Sequence, residues 1–146
     1  MNDKPLTPKE YLSQAYRIDQ WINAKLEQVM ALRELATKAT STLSDMPRSE
    51  SRNLCRMENI IVKIIGLEDE INGDIDRLVD LKREMRSVIN AVESPEHKTL
   101  LELRYLCFKP WEQIAVDMGY SIQHVYRIHD QALNSVVVPK DESKCD

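Results

Sequence analysis

Gly119 stands between two short runs of helically spaced apolar residues, and that arrangement leaves few folds open to this chain. Ile114, Ala115 and Met118 give the run before it an apolar inner face. Val125, Ile128 and Leu133 give the run after it another. Ala115 is small enough for a second helix to cross close by. Glycine takes the left-handed conformation that ends a helix at little steric cost. Ser121 is a good N-cap for the next helix, and Tyr120 reads as an apolar plug in the turn. The spacing Ala115, Gly119, Val125 suits a tight three-residue turn between packed helices. The stretch from Leu100 to Leu133 is therefore expected to form a helix-turn-helix, a unit that sets its second helix in the major groove of DNA.

That second helix is predicted from Ser121 to about Ser135. Ile122, Gln123, His124, Tyr126 and Arg127 are the base-contact candidates at its start. Arginine pairs bidentately with guanine and glutamine with adenine, which singles out Arg127 and Gln123. Ile122 would contact a thymine methyl or pack on Trp111. Lys109, Trp111, Ser121, His129 and Gln131 are the phosphate-contact candidates. For Trp111 a place in the core competes with an indole N–H on phosphate.

Several elements here resemble region four of sigma-70-type transcription factors. They are LRYL before the motif, WEQIA, the glycine turn, and the S-x-x-x-V-x-x-I-x-x-x-A-L helix. The whole chain is similar to small phage and prophage regulators of Gram-positive bacteria, the sigma-70-like ArpU/RinA-type proteins. That similarity extends to KEYLSQAYRIDQWINAKLEQV, LATKATSTLSDMP and LVDLKREM. It implies transcriptional control of phage genes, late ones among them. Two departures matter: the recognition helix is poorer in arginine than region four, and nothing resembles the part that recognises and melts the −10 element. An accessory activator or repressor fits better than an autonomous sigma factor.

Upstream, helical periodicity continues. Thr7-Pro8-Lys9-Glu10 is a capping box with proline at the first helical position. Ala15, Ile18, Ile22, Leu26, Val29 and Leu32 follow at helical spacing, fading through LATKATSTLSDMP. Ser44 to Asn53 reads as the connection. A second helix from about Leu54 to Val92 carries Met57, Ile60, Ile64, Leu67, Ile71, Ile75, Leu78, Leu81, Met85, Val88 and Val92 in steps of three and four. A pattern so sustained suggests coiled-coil packing. Gly66 and Gly73 lie inside it and each costs about 1 kcal/mol relative to alanine, so packing must override them or the helix bends. Ser94 and Pro95 end it and start the next helix. The first helix covers only part of this stripe. The remainder, Leu78, Leu81, Met85, Val88 and Val92, needs the helix-turn-helix domain or a second copy as partner. A homodimer is the preferred expectation, because DNA readers of this size commonly use two half-sites.

The expected fold is all-α. Residues 1–94 form a helical hairpin or coiled-coil platform, 95–138 the helix-turn-helix domain and 139–146 a frayed tail. The 146 residues contain only three glycines and six prolines, and helix formers dominate. Val136-Val137-Val138 is too isolated to pair as a strand.

The net charge is −4, and basic and acidic residues balance between His97 and Leu133. An isolated copy of this domain should bind DNA weakly, with dimerisation or docking on RNA polymerase supplying affinity. The same neutrality supports a reading from another class, a polymerase- or sigma-binding adaptor or inhibitor that acts by protein contact alone. Cys55, Cys107 and Cys145 make neither metal spacing nor a disulfide framework and read as free thiols. Glu68-Asp69-Glu70 with Asp74 and Asp76 reads as a solvated face. No phosphate loop, metalloprotease motif or nucleophile elbow is present. No enzyme activity, metal, cofactor, small-molecule substrate or membrane partner is expected. With neither a signal peptide nor a bilayer-length apolar run, the expected location is the cytoplasm of a bacterial host. The expected partner is double-stranded DNA.

Overall fold

The computed structural model describes residues 5–43 and 50–139. Among them are five α-helices and no strand. They are α1 (Pro8–Leu43), α2 (Glu50–Asn90), α3 (Pro95–Leu101), α4 (Trp111–Met118) and α5 (Ile122–Ser135). A π-helical turn, Glu102–Leu106, continues α3. The expected tail lies outside the described residues from position 140 on, as do Cys145 and residues 44–49 of the expected connection. The rest of that connection, from Glu50, is already helix α2.

The local signals act as chemistry requires. The Thr7 N–H donates to Glu10 Oε1 at 3.1 Å and the Glu10 N–H to Thr7 Oγ1 at 3.2 Å, a reciprocal capping box. Ser94 Oγ accepts from the His97 N–H and Pro95 follows at the first helical position. Through the threonine-rich stretch α1 persists to Leu43, the Thr37 and Thr40 hydroxyls bonding back to the Arg33 and Ala36 carbonyls. Helix α2 runs unbroken through Gly66 and Gly73.

The described residues divide into two compact units, Ile18–Arg77 and residues 5–17 with 78–139. In the Ile18–Arg77 unit, α1 and α2 pair antiparallel: Lys25 meets Asp74, Arg33 meets Glu68 and Thr40 meets Met57. Ile18, Ile22, Val29, Ile64 and Ile71 are buried. Two inward positions differ from expectation. Asp74 is buried and bonds Lys25 at 2.7 Å, whereas Ile75 and Leu26, read as part of the inner stripes, are 41% and 44% exposed. The ion pair takes the inward register because the two long helices place both charged groups opposite each other. Asp74 thus leaves the acidic face on which the sequence seemed to put it.

In the other unit, Tyr11, Leu12 and Ala15 of α1 share a core with Met85, Ile89 and Val92 of α2, Leu101 and Tyr105 after α3, and Ala132 and Val136 around α5. Leu78, Leu81 and Val88 pack against it. Of the two partners expected for Leu78, Leu81, Met85, Val88 and Val92, the helix-turn-helix domain or a second copy, the chain's own helices are the ones these residues pack against. The antiparallel course of α1 brings its first turns onto that stripe, and the C-terminal helices complete the cover. The expected boundary at Ser94–Pro95 likewise does not separate compact units, since this core is built from both sides of it. A second cluster joins Leu100, Ile114, Ala115, Val125 and Ile128, with Leu103, Trp111 and Met118 against it. Adjacent residues of α3, Leu100 and Leu101, thus serve two different clusters.

Candidate nucleic-acid interface

The α4–α5 connection is a Schellman turn. Gly119 sits at φ 73° and ψ 33°. The Tyr120 N–H reaches the Ala115 carbonyl at 2.9 Å, and the Gly119 N–H reaches that of Val116 at 3.2 Å. Ser121 then caps α5, its hydroxyl accepting from the His124 N–H at 3.2 Å. Tyr120 does not plug the turn. It is exposed, hydrogen-bonds Glu96 of α3 through its hydroxyl, and meets the His124 ring edge-on. A phenol in contact with a carboxylate and an imidazole gains more from that polar environment than from burial.

Helix α5 is divided sharply. Val125, Ile128, His129 and Ala132 point inward. Gln123, Tyr126, Arg127 and Asp130 recur at helical spacing on the exposed face, with Gln131 beside them. Three of the base-contact candidates, Gln123, Tyr126 and Arg127, therefore share one face. Ile122 and His124 are half-buried at its edge.

The phosphate-contact candidates separate. Ser121 and Gln131 are exposed. Lys109 is held by Asp117 at 2.7 Å, a hydrogen bond that raises the lysine pKa and, from the other side, helps lower that of the aspartate. Gln113 also donates to Asp117, at 2.8 Å. Trp111 is half-buried, with the Arg104 guanidinium 4.4 Å from its ring centroid, the His129 ring at 4.6 Å and the Tyr126 ring at 5.3 Å. His129 is buried, its Nε2 2.6 Å from Tyr105 Oη. Burial pushes the His129 pKa down to about 4 and that of Tyr105 up to about 12, so both groups are neutral near pH 7. His129 thus faces the interior and not a phosphate.

Sequence reasoning missed this inward pair and the Arg104 stack. The step Val125, His129, Ala132, Val136 carried the signal for His129. Nothing local announced Arg104, which donates to the Lys109 carbonyl at 3.0 Å across the reversal at Phe108, where φ is 58°. Of the four basic groups between His97 and Leu133, Arg104 and Lys109 are thus engaged within the fold. Arg127 has no ion pair among the described residues. No metal-holding cluster of His, Cys, Asp or Glu occurs among the described residues, and Cys55 and Cys107 are free and exposed. No helix among them is long and apolar enough to cross a membrane.

The chain belongs to a family of proteins of unknown function, DUF1492, whose model matches residues 51–136, more than half of its length. The matched segment runs from the start of α2 to the end of α5. No curated protein and no solved structure matches the chain.

Proposed function

We propose that this protein is a sequence-specific DNA-binding transcription regulator whose α4–α5 pair acts as a helix-turn-helix, with α5 as the reading helix. The observation that carries this reading is the conjunction of a three-residue capped turn with an α5 face on which Gln123, Tyr126 and Arg127 stand together and exposed. Arg127 and Gln123 read base edges, and Ile122 and His124 supply contacts at the margin. Tyr126, braced by Trp111, presents a fixed aromatic edge. Ser121 and Gln131 hold phosphates. The similarity to sigma region four and to phage regulators of Gram-positive bacteria points to control of phage genes in the host cytoplasm. The antiparallel α1–α2 pair is the platform that carries the reading unit.

Arg127→Ala tests the reading directly. In fluorescence anisotropy on an enriched site, it should reduce preference over scrambled DNA roughly 10- to 100-fold, as expected for one bidentate base contact. Unchanged preference with well-folded protein would contradict it.

The second reading, an adaptor or inhibitor acting on RNA polymerase or its sigma factor, draws on one observation. Lys109 is neutralised by Asp117 and Arg104 is engaged at Trp111 and the Lys109 carbonyl, so little basic charge is left for phosphate. Polymerase capture that survives Arg127→Ala, from a protein that selects no DNA, would favour it.

A further inference from the structure

We infer that the recess between the π-helical turn and the first turns of α1 is a binding site for a small aromatic carboxylate. Six residues line it: Ser13, Tyr16, Arg104, Tyr105, Phe108 and Pro110. All six belong to the same compact unit, so the recess is part of one folded body. Its volume is about 250 Å³. Sites for drug-sized ligands begin at roughly 300 Å³, so this recess suits a molecule with a single ring.

The backbone beside the recess is unusual at two neighbouring places. Arg104 and Tyr105 stand on the π-helical turn, a geometry that recurs at functional sites. Phe108 follows that turn at φ 58°, where glycine is the low-cost residue. Holding a phenylalanine there costs about 1 kcal/mol or more. The place of its ring accounts for that cost. Part of the ring packs on the core, and the residue also forms a wall of the recess. It meets the Tyr16 ring edge-on at 5.5 Å and carries the Lys82 ammonium 4.5 Å from its centroid.

The chemistry of the walls selects the ligand. Tyr16, Tyr105 and Phe108 offer ring surface for another ring, and Pro110 gives a rigid apolar rim. Arg104 is half-buried, and among the described residues its guanidinium hydrogen-bonds only the Lys109 carbonyl. Neither Arg104 nor Lys82 forms an ion pair among the described residues. A partly buried cation without a counter-charge favours an anion and repels a second cation. The planar guanidinium fork matches a carboxylate in particular, and the Ser13 hydroxyl can donate to the same group. A neutral ring leaves both cations unmatched, and a nucleotide is too large for the space. This site stands whether or not α5 reads DNA.

Nuclear magnetic resonance titration of the full chain with benzoate is the test, run beside benzyl alcohol and acetate. Benzoate should shift the resonances of Ser13, Tyr16, Phe108 and the Trp111 indole, on which Arg104 stacks, and saturate with a Kd of roughly 1 mM or tighter. Benzyl alcohol keeps the ring without the charge, and acetate keeps the charge without the ring. Each should bind at least about 10-fold more weakly than benzoate. Arg104→Gln should weaken benzoate by about 10-fold or more. Tyr16→Ala, at a side chain half exposed, should weaken it several-fold with an unchanged circular dichroism spectrum, which separates loss of the site from loss of the fold. No saturable shift up to ~20 mM benzoate, equal binding of either control compound, or a Kd unchanged in both variants would overturn the inference.

Discussion

The His129 ring lies on α5 but belongs to the interior, bonded to Tyr105 and flanked by Trp111. Its folded pKa, about 4, lies below the ordinary 6.5, so the unfolded chain binds the proton more tightly. The neutral ring's contribution is therefore intact above about pH 6.5 and drains away as pH falls toward 4, by up to about 3 kcal/mol. Thermal melts followed by Trp111 fluorescence should show this loss, and His129→Gln should flatten that part of the profile. A pH dependence identical in both proteins would refute the assignment. Gly119 makes a separate prediction. A Cβ there would meet nothing within 4 Å, so only the left-handed backbone opposes substitution. Gly119→Ala should destabilise by about 1 kcal/mol in urea unfolding.

Among the helices, α2 is the most open to test. Gly73 is helical and a Cβ there would meet nothing within 4 Å, so Gly73→Ala should stabilise the protein by about 1 kcal/mol. Urea midpoints would check it, and an unchanged or lowered midpoint would show that the glycine serves a close approach. Asp74→Asn should act oppositely, costing about 2 kcal/mol because Lys25, one quarter exposed, would lose its partner inside the helix pair. Glu68→Gln, in an exposed pair, should cost less than about 1 kcal/mol. At this scale most element ends were legible, because caps are local: Thr7 with Glu10, Ser94 with Pro95, Gly119 and Ser121 all signal within four residues. The inward register of α1 and α2 was not. Leu26 and Ile75 are as apolar as their neighbours, and only the helix opposite decides that Lys25 and Asp74 point in. Tyr120 eluded local reading for the same reason, since Glu96 lies a helix away.

Across the whole molecule, the C-terminal helices close one cluster by themselves but not the core they share with α1 and α2. Leu12, Ala15, Met85 and Ile89 complete it, so a fragment of residues 95–138 should lack cooperative unfolding while the full chain retains it. That long-range cover is also why the stripe from Leu78 to Val92 looked unfilled in sequence: antiparallel return of α1 is a tertiary outcome, not a periodicity. The candidate reading face was legible in outline, since Gln123, Tyr126 and Arg127 follow from the 3.6-residue period, whereas the loss of Lys109 to Asp117 depended on α4 approaching the loop before it. DNA reading by α5 is the central claim, and affinity selection of fragments from host and phage genomes, run with purified wild type beside Arg127→Ala at moderate salt, tests it most directly. The account predicts one enriched motif, lost in the variant; a two-fold repeat within it would mark a dimer. No enrichment from folded protein would contradict it.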